Sequence, residues 1–223
     1  LLAALRLAAC SGSTTFEIDG QLLNMNQGTL YIYSPTGLTQ KIDTVNIAAG
    51  RFQYSRSIEG AGTFVIVFPN FTEVPVFATP GEDVKLKGNA QQLNKITISG
   101  TDDNELMTGF RLETAEKTPS QQLPIAERYI REHPASPVAL WLLEKYFLNV
   151  YSIDVKKTLP LAKAIREQQP DNGHIAEIVS LIGTAKTRKT GDRLPAFSAK
   201  EVDGNTIDNK SLEGKKTIII ASA

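Results

Sequence analysis

Cysteine occurs once in the 223 residues, at Cys10, which excludes an intramolecular disulfide and any cysteine-based metal centre. Histidine is nearly as scarce. His133 and His174 stand far apart, and neither has partners at metal-binding spacing. A zinc site needs three or four converging ligands, so both histidines read as surface or helix-end residues. Neither sign of charge dominates, with 24 Lys plus Arg against 24 Asp plus Glu. No long-range field therefore draws the chain to nucleic acid, and no run of like charge supplies a local one. Long apolar runs are missing too, none approaching the ~20 residues of a membrane span. What remains is ordinary globular material, 41% hydrophobic and 22% charged, enough for one large domain or two modest ones.

Residues 16–100 carry a period of two. Phe16, Ile18 and Leu22 lie around Asp19-Gly20, and Leu30 and Ile32 alternate with Tyr31 and Tyr33. Further strands follow at 42–45, 52–54, 63–68, 74–78, 84–86 and 96–98. Turn signals interrupt them at Asn26-Gln27-Gly28, Pro35-Thr36-Gly37, Ala49-Gly50 and Pro80-Gly81-Glu82-Asp83. This spacing predicts an antiparallel β-sandwich or barrel-like domain. Asp19, Asp43, Glu82 and Asp83 are its candidate paired carboxylates. Each lies in or beside a predicted turn, where Asp commonly bonds its own backbone. Tyr31, Tyr33, Phe52, Tyr54, Phe64 and Phe68 could line a ligand face, but aromatics are also ordinary strand residues and the core reading is preferred. The segment reads as scaffold or binding surface.

Near Thr101 the period changes to three or four, and residues 101–189 read as a helical segment. Asp102-Asp103-Asn104 is the expected cap of a helix carrying Leu106, Phe110 and Leu112. A second helix is expected over 122–132, ended by His133-Pro134 because the residue before proline avoids helical geometry. Ser136-Pro137 opens a third, presenting Val138, Leu142, Leu143, Tyr146, Phe147 and Val150, with Trp141 read as core. Ser152 or Asp154 begins a fourth to about 168, and Asp171-Asn172 a fifth to about 187. Lys186, Arg188 and Lys189 suit the negative end of that last helix.

The two ends carry resemblances. Residues 1–15 read as a signal-peptide remnant and tether, in which Leu7-Ala8-Ala9-Cys10 resembles a bacterial lipobox followed by flexible Ser11-Gly12-Ser13. That resemblance implies lipidation of Cys10 and a periplasmic, membrane-anchored protein. The alternative for Cys10 is a core thiol in a short buried helix. Phe16-Glu17-Ile18-Asp19-Gly20, Lys41-Ile42-Asp43, Gly50-Arg51-Phe52 and Pro80-Gly81-Glu82-Asp83 together resemble an N-terminal β domain of uncharacterised role. Such domains precede a thioredoxin-like domain in periplasmic lipoproteins, and Tyr129 to Ser136 is similar to their helical linker.

Within residues 190–223, Gly191-x-x-x-Pro195-x-Phe197, then Asp203-Gly204, then Leu212-x-Gly214-Lys215, resemble the start of a thioredoxin-like α/β domain. The likeness is to TlpA-like thiol-disulfide oxidoreductases and to peroxiredoxins of the AhpC/TSA type. It implies a short hairpin turning at Asp-Gly and a central strand over the apolar run 217–221. In that family the redox cysteines follow this strand, so the expectation is a chain cut before its active site. No residue here is a catalytic candidate, and no cofactor or metal is implied. The resemblance implies envelope proteins with cysteines or disulfides as partners. A non-catalytic envelope lipoprotein acting as a binding module, or a thiol peroxidase, are the alternatives.

Overall fold

The computed structural model describes residues 14–187, 191, 193–194, 196–214 and 216–217. Cys10, Pro195, Arg188, Lys189 and the apolar run from residue 218 onward lie outside the described residues. The fold is mixed α+β, and the chain divides into two compact units between Ile182 and Gly183.

The first unit begins with eight strands: β1 (Thr15–Leu23), β2 (Gln27–Tyr33), β3 (Asp43–Ala48), β4 (Arg51–Ser57), β5 (Gly62–Val67), β6 (Glu73–Ala78), β7 (Asp83–Asn89) and β8 (Thr97–Ser99). They form one sheet in the order β6-β5-β2-β3-β4-β1-β7-β8. A simple length argument shows that this sheet must curl. In a flat sheet β6 and β7 would sit six strand spacings apart, about 29 Å. Only residues 79–82 connect them, a link that reaches about 18 Å at full stretch. The sheet is accordingly a nearly closed, barrel-like one. The sandwich alternative is set aside, and the expected purely antiparallel pairing needs correction. β1 is antiparallel to β4 but parallel to β7, with Glu17 opposite both Ser55 and Asp83.

Inside the curl, Phe16, Ile18, Leu30, Ile32, Phe52, Tyr54, Phe64, Ile66 and Phe68 make one apolar core with neighbours from every strand. β1 alternates buried and exposed along its whole length, so Asp19-Gly20 is strand interior and not a turn. Glycine is needed there because the Phe52 ring lies over it. A Cβ at residue 20 would sit 2.0 Å from that ring. β5 and β6 do not alternate: Thr63 to Ile66 and Val74 to Ala78 are buried on both faces. Their outer face is covered by helices, and Phe77 belongs to the helical core.

Five helices follow: α1 (Asp102–Thr114), α2 (Pro119–Glu132), α3 (Pro137–Leu143), α4 (Val155–Gln168) and α5 (Gly173–Thr187). Residues Glu144–Leu148 continue α3 as one π turn, closed by the Asn149 N–H on the Glu144 carbonyl at 2.8 Å. Ser136 caps α3 as expected, accepting from the Val138 N–H, and Asp154 rather than Ser152 caps α4. α2 starts three residues earlier than expected, because Thr118 and Gln121 form a reciprocal capping box. Leu112 and Val150, expected on apolar faces, are 48% and 41% exposed. The first lies on the solvent side of α1 and the second beyond the π turn.

The correction at α1 matters most. Its cap residue is Thr101, and Asn104 does something else. The Asn104 amide accepts from the Phe77 N–H at 3.0 Å and donates to the Phe77 carbonyl at 2.7 Å. One turn later the Thr108 hydroxyl accepts from the Ile98 N–H at 2.8 Å and donates to the Ile98 carbonyl at 2.9 Å. Phe77 is on one terminal strand of the sheet and Ile98 on the other. A single helix thus satisfies backbone groups on both open edges, which otherwise would invite another chain.

In the second unit, β9 (Ser198–Lys200) and β10 (Thr206–Asp208) form an antiparallel hairpin. It turns through Asp203-Gly204, where Gly204 has φ of 88° and donates its N–H to the Glu201 carbonyl at 3.0 Å. The short hairpin expected at this position is therefore present. A single 3-10 turn follows at Lys210–Leu212, where the Asp208 carboxylate accepts from the Ser211 N–H at 2.7 Å.

Candidate functional site

α1 seals only half of the seam. Below Thr108, the start of β6, the loop 90–94 and the end of α1 leave a cavity of about 480 Å³. α2 and the π turn wall its far side through Gln122, Lys145 and Tyr146. Met107, Phe110, Val74 and Leu93 supply an apolar lining.

At this lining lies Arg111, 8% exposed. Its Nη1 donates to the Ile96 carbonyl at 2.6 Å. Its Nη2 is buried without a hydrogen-bond partner. Burial alone pulls this guanidinium down to about 10, far below its ordinary range. Leaving a buried donor unmet costs about 1–3 kcal/mol and more for a charged group, so the arrangement calls for an acceptor. Asn104, Thr108 and Arg111 follow one another at helical spacing, so the stripe that seals the seam also delivers the arginine.

Lys145 and Glu73 are exposed and stand at the cavity rim. Crowding by protein, then the nearby Arg111 charge, lowers the Lys145 ammonium, while Glu73 opposes that shift. Solvent at the rim screens these effects. Glu73 is itself engaged, accepting from the Tyr33 hydroxyl at 3.0 Å. Tyr146 donates to the Gln122 Oε1 at 3.0 Å, and Gln122 bonds the Thr114 and Lys117 carbonyls. The π turn puts Lys145 and Tyr146 on the cavity side together; such turns recur at functional sites. The cavity is lined by no Ser, Cys or His. It holds two cations, Arg111 and Lys145, against one carboxylate, Glu73.

The residues singled out from sequence lie elsewhere. Asp43 opens β3 and is bound across strands, not to its own backbone. It accepts from the Tyr54 hydroxyl at 2.8 Å and lies 3.7 Å from Arg56. Glu82 is in the turn before β7, Asp83 begins that strand, and Asp19 is exposed within β1. Of the six aromatics, Phe52, Tyr54, Phe64 and Phe68 are core, whereas Tyr31 is 49% exposed. His133 ends α2, and His174 Nε2 is 2.6 Å from Glu144 Oε1. Trp141 only partly joins the helical core. Its Nε1 is buried without a partner beside a second cavity of about 310 Å³ that also contains His174. Among the described residues no three His, Cys, Asp or Glu side chains converge, and no helix is long and apolar enough to cross a membrane.

Arg111, Lys145 and Glu73 were not anticipated. The available signal was Arg111 itself, a charge on the apolar stripe between Phe110 and Thr114. Lys145 carried no signal, because the π turn rotates it away from its expected helical position.

The structural class is therefore a barrel-like sheet sealed by its first helix, with a cationic cavity in the remaining gap. Residues 16–107 match the model of a family described as Domain of unknown function (DUF4369). The match covers all eight strands and reaches into α1 past Asn104. The chain matches no curated protein.

Proposed function

We propose that this chain is the N-terminal part of a lipid-anchored periplasmic thiol-disulfide oxidoreductase. In this reading Cys10 carries the lipid and residues 16–182 form a module ahead of the redox domain. The observation that carries it is the hairpin of β9 and β10 turning at Asp203-Gly204, within the spacing of Gly191, Pro195, Phe197 and Gly214. The DUF4369 match over 16–107 supports the β domain of the same arrangement. Disulfide exchange needs two thiols: a thiolate attacks the client disulfide, and the second thiol resolves the mixed disulfide. Residues 1–223 hold one cysteine, so this reading places the redox pair outside them.

The test is insulin reduction by the product of the complete coding sequence. Activity should be present and should vanish on replacing either cysteine of a downstream Cys-x-x-Cys. Activity surviving either replacement overturns the reading, as does a coding sequence with no further thiol. A lone downstream cysteine with peroxide-reducing activity points instead to a thiol peroxidase. Detergent-phase partitioning in cells should be lost in Cys10→Ala. A second reading, a non-catalytic envelope lipoprotein that binds a ligand, is favoured by the cavity around Arg111.

A further inference from the structure

We propose that the seam cavity binds a small organic carboxylate carrying an apolar body. The proposal deepens the ligand-binding reading and is independent of whether any redox domain follows. Three observations converge on it. Arg111 is more than nine-tenths buried, and its Nη2 has no partner although the residue lines the cavity. Lys145 provides a second cation at the rim, placed there by the π turn. Against these two cations the lining offers one carboxylate, Glu73, leaving a surplus of one positive charge.

That surplus suits a monoanion. A planar guanidinium matches the two oxygens of a carboxylate. Phosphate carries more charge than this surplus offsets, and a tighter hydration shell. The rest of the wall mixes apolar Met107, Phe110, Val74 and Leu93 with polar Asn70, Thr72, Asn94 and Gln122. A volume of about 480 Å³ lies within the range of small-molecule sites. A docked carboxylate would offset the buried Arg111 charge, and the apolar body would rest against Phe110 and Met107.

The experiment titrates the 223-residue chain with phenylacetate, its neutral isostere phenylacetamide, and inorganic phosphate, by calorimetry and amide chemical shifts. Phenylacetate should bind saturably and shift amides of residues 107–111 and 145–146. Phenylacetamide should bind at least about tenfold more weakly, the loss expected for a charge-assisted hydrogen bond. Phosphate should do no better than the amide. Because Arg111→Gln can unfold the domain, two exposed rim positions carry the test. Lys145→Gln should weaken phenylacetate about fivefold, and Glu73→Gln should tighten it by a similar factor. The proposal is overturned by no saturable phenylacetate binding, by equal binding of acid and amide, or by tighter binding of phosphate. Rim variants that leave affinity unchanged, or shifts confined to other surfaces, overturn it equally.

Discussion

Gly20 and Phe52 face each other across β1 and β4, and the ring fills the space that any side chain at residue 20 would need. Gly20→Ala should therefore cost about 1–3 kcal/mol, the usual penalty of overpacking a dense core. Shortening the ring in Gly20→Ala/Phe52→Leu should recover part of that loss. Urea unfolding of the two variants and the parent checks this, and an unchanged midpoint in Gly20→Ala would remove the packing argument. A second residue-scale effect concerns pH. Burial first, then the hydrogen bond to Glu73, pushes the Tyr33 hydroxyl up to about 12. Burial and then Asp43 raise Tyr54 further still. Both raised groups favour the fold while protonated. Their contribution is complete below the unfolded tyrosine value near pH 10 and is lost as pH climbs through the folded values. Stability measured in urea should thus decline from about pH 10 upward, and Tyr54→Phe should flatten the decline. A slope untouched by that substitution would rule out Tyr54 as its source.

At the scale of elements, α1 acts as a strand substitute. Its Asn104 and Thr108 each offer a donor and an acceptor to one residue on each terminal strand. The amides of Phe77 and Ile98 should be protected in hydrogen exchange although no β-strand pairs with them there. Asn104→Ala should release Phe77 selectively and Thr108→Val should release Ile98, each with about 1–3 kcal/mol of lost stability. Fast exchange at both amides in the parent chain would show that the helix does not seal the seam. This role explains why the capping assignment of Asp102-Asp103-Asn104 missed. Asn is a good cap and an equally good backbone mimic, and its local sequence does not say which. The caps at Ser136 and Asp154 were legible because their partners lie two or three residues away.

For the whole molecule, the period-two pattern located the strands and the later shift to helical spacing located the helices. The strand order was not legible. Each alternating segment specifies a buried face, whereas the choice of neighbour is made at the edges, by groups every residue carries. The parallel pairing of β1 with β7 and the double burial of β5 and β6 both arise from that choice. The cavity was hidden for the same reason, since it exists only where the curled sheet fails to meet itself. One strong clue did stand in the sequence: the brevity of the Pro80-Gly81 link, whose meaning emerges only once the strand order is known.

The seal also determines where the domain can be divided. The match to DUF4369 ends at Met107, one residue short of Thr108 and four short of Arg111. A fragment trimmed to that limit would keep every strand yet present Ile98 with a bare edge. Any piece that keeps both edges sealed must run past Thr108, and Phe77, Met107 and Phe110 further call for the helices that cover them, so the boundary recognised by similarity and the one set by packing are different places.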